Sequence, residues 1–104
     1  MAKWRRGSTP TNTFKVNIDL QGARVYITYK QNGKIIVEKT GGDVTITENK
    51  LITRLTQEET LRFNTGPVRI QIRYVRPNGS ADASNIIDTR AEEILKDGEI
   101  TYGV

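Results

Sequence analysis

Side chains able to do chemistry are few in this chain, and the missing types decide more than the present ones. There is no histidine and no cysteine among the 104 residues. General base catalysis by imidazole, thiolate attack and any Ser-His-Asp arrangement are therefore excluded, together with disulfides and thiolate or imidazole metal sites. Carboxylate, lysine and hydroxyl chemistry remains. Glu58-Glu59 and Glu92-Glu93 are adjacent acidic pairs, but each sits where negative charge favours the first turn of a helix, so both read as structural. Asp97 and Glu99 lack calcium-loop spacing, and Gly41-Gly42-Asp43 lacks the Gly-Lys-Ser/Thr that a phosphate cradle requires. The expectation is a protein with no enzymatic activity, no cofactor and no metal.

Cations offer a second kind of chemistry, the recognition of acidic partners. The formal net charge is +4, yet Lys3, Arg5 and Arg6 alone carry three charges, which leaves 4 − 3 = +1 for everything after them. In the stretch 67–76, Arg69 and Arg73 fall four apart in an alternating pattern that puts both on one solvent-facing side, with Arg76 close by and Arg54 and Arg62 as further members of a basic patch. The plain reading of such a row is solvation; the functional one is docking of an acidic partner or, secondarily, of nucleic acid. Met1-Ala2-Lys3-Trp4-Arg5-Arg6 places the only tryptophan between cations, outside any core the pattern predicts. Trp and Arg are enriched at binding hot spots, so Trp4, Arg5 and Arg6, with Arg69 and Arg73, are the candidate partner-binding residues. Trp4 is expected to dock on a neighbouring subunit.

The elements that must position these residues are strands. Residues 1–12 read as a flexible basic arm, with Gly7 to Asn12 as its linker, and 13–104 as a single domain. Phe14, Val16, Ile18 and Leu20 alternate with polar residues, as do Val25, Ile27 and Tyr29, and Val68, Ile70, Ile72 and Tyr74. Asn32-Gly33 predicts a two-residue type I′ hairpin with Ile36 beside Tyr29, and Lys34, Glu38 and Lys39 guard that edge. A second hairpin joins Val44–Thr47 to Leu51–Leu55 across Glu48-Asn49-Lys50.

Thr56 and Glu59 have capping-box spacing, which predicts one helical turn over about 57–62. Asn78-Gly79 predicts a hairpin pairing Tyr74 with Ala83 and Ile70 with Ile87, in a last strand over 81–89. Ala91 to Lys96 then reads as a short C-terminal helix capped by Thr89, with a longer last strand as the alternative.

Six to seven short strands with turns every eight to twelve residues fit an all-β, immunoglobulin-like antiparallel β-sandwich, with a small barrel as the rival topology. Apolar residues are 36% and charged residues 27% of the chain, finely interleaved, so a folded water-facing domain is expected and no membrane span. The first ten residues have no apolar run behind their cations, so no secretory signal is expected and the product is placed in the cytoplasm.

The blocks Asp43–Ile52, Leu55–Phe63, Gly66–Arg73 and Ala83–Ile87 resemble small uncharacterised phage and prophage proteins of Gram-positive bacteria, over about Thr13 to Ile100. A more distant resemblance is to the N-terminal β-sandwich domain of phage baseplate upper proteins. The resemblance implies a structural, head or tail, role in the virion or its assembly. Its partners would be other virion proteins or copies of itself, and its location the host cytoplasm during assembly and then the virion. It brings no catalytic residue with it. A nucleic-acid-binding accessory protein using the arm and the arginine row is the alternative.

Overall fold

The computed structural model describes residues 3–102 as two β-sheets packed face to face. In chain order the elements are β1 (Trp4–Arg5), β2 (Thr11–Lys15), β3 (Arg24–Gln31), β4 (Lys34–Thr40), β5 (Val44–Ile46), β6 (Lys50–Arg54), α1 (Gln57–Leu61), β7 (Gly66–Val75), β8 (Ala81–Ala83) and β9 (Ile87–Glu92). The larger sheet runs β1-β9-β7-β3-β4, with β8 also on β7; the smaller runs β2-β6-β5. All pairings are antiparallel except β1 on β9, which is parallel.

Alternation explains the core. Val25, Ile27 and Tyr29 of β3 and Val68, Ile70 and Ile72 of β7 point inward against Phe14, Leu51 and Val44 of the smaller sheet, and Leu55 and Phe63 close one end. Complete burial of each such side chain contributes roughly 1.5–3 kcal/mol. The capping box forms as its spacing predicts: Thr56 Oγ1 accepts the Glu59 N–H at 3.1 Å, and the Thr56 N–H donates back to Glu59 Oε1 at 2.9 Å.

Four expectations need correction. The arm is not a free linker, because β1 joins the larger sheet, Thr11 and Asn12 lie in β2, and Pro10 O accepts the Leu55 N–H. Strand spacing cannot reveal β1, since two residues are too few to show a period. The helix over 91–96 does not form: β9 runs through Glu92, and fully buried Ala91 pairs with both Gly66 and Trp4. Tertiary pairing there overrides local helix preference.

The other two corrections concern register. The two-residue Asn32-Gly33 turn is present with positive φ at both positions, but a bulge after Tyr29 sets Tyr29 opposite Val37 rather than Ile36, while Ile35, opposite exposed Lys30, faces outward. The expected last strand is split. Ile70 does pair with Ile87, whereas Tyr74 pairs with Asp82, so the chain gains one residue between the two ladders. Ser84 bridges the gap: its N–H donates to Ile72 O and its Oγ accepts the Ile72 N–H. Nine strands result among the described residues, where six or seven were expected.

Candidate functional site

The five candidate residues separate into two groups with different surroundings. Trp4 is 5% exposed and packs edge-on against Tyr29 and Phe63, with ring centroids 5.9 and 5.5 Å away. It belongs to the core of its own chain, which corrects the expectation of a docking residue. Its indole Nε1 is buried with no hydrogen-bond partner among the described residues.

Arg6 is a clasp. Its Nε donates to Phe63 O at 2.6 Å, and Nη2 donates to Leu61 O at 3.1 Å and meets Asp97 Oδ1 at 3.3 Å. Those carbonyls lie at and just beyond the end of α1, where no intrahelical donor is left for them. The Gly98 N–H and the Arg6 charge together hold the Asp97 carboxyl below its ordinary pKa. Arg5 lies exposed, with Nη1 on Glu93 O at 3.0 Å.

Arg69 and Arg73 do share the outer face of β7, as alternation requires. Their neighbours come from strands distant in sequence: Lys30 stands opposite Arg69, Tyr26 opposite Arg73, and Thr28 opposite Gln71 between them. Asp88 lies opposite Arg69 on the other side, but the two charges are 4.0 Å apart and well exposed, a geometry of little energetic value. Lys30 and Arg73 have no ion-pair partner among the described residues. The face carries a shallow groove of ≈ 590 Å³, with exposed Ile35 and Ile86 among the residues lining it.

Arg54, Arg62 and Arg76 do not join this row. Arg54 binds Thr9 Oγ1, Arg62 pairs with Glu58, and Arg76 lies over the Tyr74 ring at 5.5 Å. Lys30 and Tyr26 escaped sequence reasoning because the β3 to β7 pairing skips four intervening elements. Only a guess at strand order could have found them.

Two buried polar contacts fix the scaffold. Tyr29 is pushed up to about 12, chiefly by burial, with the Glu59 charge adding to the rise and the Asn12 Nδ2 donor, 2.7 Å from its oxygen, opposing it. Its phenol therefore stays neutral. Lys39, expected to guard the β4 edge, turns inward and meets Glu59 Oε1 at 2.7 Å. Burial alone would raise the Glu59 pKa, but the Lys39 hydrogen bond and charge and the Thr56 donors outweigh it and hold it below its ordinary value.

A second concavity of ≈ 920 Å³ opens between the sheets, where β2 is one edge of the smaller one and β8 lies across the gap. Phe14, Leu20, Ile72 and Ile87 line its floor. Among the described residues no group of three acidic side chains gathers as a metal cage, and no helix is long and apolar enough to cross a membrane.

No family model and no curated protein matches this chain. Solved structures do. CopC from Methylosinus trichosporium OB3b aligns over 94% of this chain and 91% of its own at 14% identity and a TM-score of 0.51. A strand-swapped dimer of the Ig-like domain of mouse leukocyte-associated immunoglobulin-like receptor 1 aligns over 88% and 85%, at 11% identity and a TM-score of 0.46. The V domain of amphioxus IgVJ-C2 aligns over 88% and 99%, at 9% identity and a TM-score of 0.35. At such identities the likeness concerns fold alone; the strand layout above, three strands facing a larger sheet, is itself that of an all-β, immunoglobulin-like sandwich.

Proposed function

We propose that this chain is a non-enzymatic structural or assembly protein of a phage particle that acts through protein contacts, with the outer face of the larger sheet as the dock for an acidic partner. One observation carries the choice of surface: Lys30, Arg69 and Arg73 line one groove with Tyr26, which stands opposite Arg73, and exposed Ile35 and Ile86 lie on the same groove. Cations there would steer an acidic surface, and the aromatic and aliphatic side chains would supply the apolar contact that holds it. The phage setting rests on the resemblance given above, which also supports a path from host cytoplasm to virion.

Single-stranded nucleic acid is the second reading, favoured by Tyr26, a stacking platform beside the cations. Glu38 and Asp88 on the same face count against phosphate and leave the protein partner preferred. The test is the double substitution Lys30→Glu with Arg73→Glu. Co-purification with the products of neighbouring structural genes should be lost while the melting temperature is kept. Retained co-purification defeats the proposal. Binding of wild type to a single-stranded oligonucleotide, falling steeply with salt, would favour the second reading.

A further inference from the structure

We infer that copies of this chain join head to tail by strand addition, with residues 99–102 of one copy lying along β2 of the next. The inference is independent of the acidic dock, which occupies the other side of the larger sheet.

Acceptor properties lie in β2. Val16 N–H donates to Asn49 O, and Pro10 O accepts the Leu55 N–H, so the even-numbered residues of β2 point their backbone groups at β6. Alternation then leaves those of Thr11, Thr13 and Lys15 facing the open side. Beside that edge lies the ≈ 920 Å³ cleft, floored by Phe14, Leu20, Ile72 and Ile87. An edge with unpaired backbone groups next to an apolar trough is what an added strand uses.

Donor properties lie in the segment after β9. Glu99-Ile100-Thr101-Tyr102 alternates polar with apolar, the pattern of a half-buried strand, yet it pairs with none. Ile100 is 58% exposed and Tyr102 fully exposed. The Gln57 amide already reads the backbone of Ile100 as a neighbouring strand would, with Nε2 donating to Ile100 O at 2.9 Å and Oε1 accepting its N–H at 3.0 Å.

Charge sets the register. Lys15 and Lys50 stand directly opposite each other on the exposed face of the smaller sheet, a like-charge pair that weakens the ladder. An antiparallel strand with Glu99 opposite Lys15 relieves it. That register places Thr101 opposite Thr13 on the outer face, and Ile100 opposite Phe14 and Tyr102 opposite Asn12 on the trough side. A slip by one residue would put the apolar pair into water. Because donor and acceptor are different surfaces, repetition gives a ring or an open filament, and reciprocal exchange between two copies closes a pair.

The experiment uses the full chain, which has no native cysteine. Thr13→Cys combined with Thr101→Cys, oxidised and run on a non-reducing gel, should give crosslinked dimers and higher multimers. An internal crosslink within single chains, or none, overturns the inference. Light scattering should show mass rising with concentration for wild type. Ile100→Asp and Tyr102→Ser, both on exposed side chains, should weaken association about tenfold or more without changing the melting temperature. Thr13→Pro should do the same by removing an outward N–H, and Gln57→Ala should strengthen association by releasing Ile100. A strictly monomeric wild type, or donor variants that associate equally well, overturns the inference.

Discussion

Trp4 shows how far residue type carries and where it stops. Its type argued for a binding hot spot, and its cationic neighbours and the linker-like residues after it placed it on an exposed arm, outside any core. In the fold the same neighbours are what secure it: Arg5 and Arg6 fasten the flanking backbone to Glu93, Leu61 and Phe63 while the indole enters the core. Trp4→Ala should therefore cost about 3–5 kcal/mol in urea unfolding, the range for emptying an aromatic site in a core. Trp4→Phe should cost much less, because it keeps the edge-on ring contacts and removes an N–H that is buried without a partner. If Trp4→Ala unfolds at the same urea concentration as wild type, the buried position is wrong. The side on which Arg69 and Arg73 stand, by contrast, was legible, since a strand's period of two fixes which side a residue faces. Their company was not, because Lys30 and Tyr26 reach them only through strand order.

At the scale of the element, local codes were read correctly wherever the interaction spans a few residues. The capping box at Thr56 and the positive-φ turn at Asn32-Gly33 are of this kind. The bulge after Tyr29, the split of the last strand at Ser84 and the loss of the expected helix over 91–96 all depend on a distant partner strand. Glu59 joins the two regimes, since it closes the cap on α1 and pairs with Lys39 of β4. Its folded pKa lies below the ordinary 4.5, so its ionised form stabilises the fold above that value. That contribution is lost as pH falls from 4.5 through the lower folded pKa. Glu59→Gln should lower stability at pH 7 by about 3 kcal/mol, because it strands a Lys39 ammonium that is nearly inaccessible to water. The gap between variant and wild type should narrow at pH 3 in the same urea assay. An equal gap at both pH values would mean that the ionisation of Glu59 contributes nothing to the difference.

Across the whole molecule, the sequence was sufficient for an all-β sandwich because alternation and turn residues recur along the chain, and those signals need no knowledge of partners. It was insufficient for the two surfaces proposed to bind. Both the basic face and the β2 cleft are assembled from strands far apart in sequence, Tyr26 with Arg73 in one and Phe14 with Ile87 in the other. The spread of charge also reads differently once folded. Arg6 is occupied by α1 and Asp97, and Lys3 lies near Glu92, so the excess of cations at the start of the chain is partly spent within the fold.

The parallel pairing of β1 with β9 gives this protein a built-in optical reporter of its own completion. Trp4 is the single tryptophan, and its sheet partner Ala91 lies almost a whole chain length away. Contacts so distant in sequence form against the largest loop entropy and so tend to come late. The indole should then remain in water while the hairpins of β3 with β4 and β5 with β6 assemble, and move into the core only when β9 is in place. In stopped-flow refolding, the blue shift of tryptophan emission should lag behind the far-ultraviolet signal of strand formation. Simultaneous changes would show that the fold closes in one concerted step.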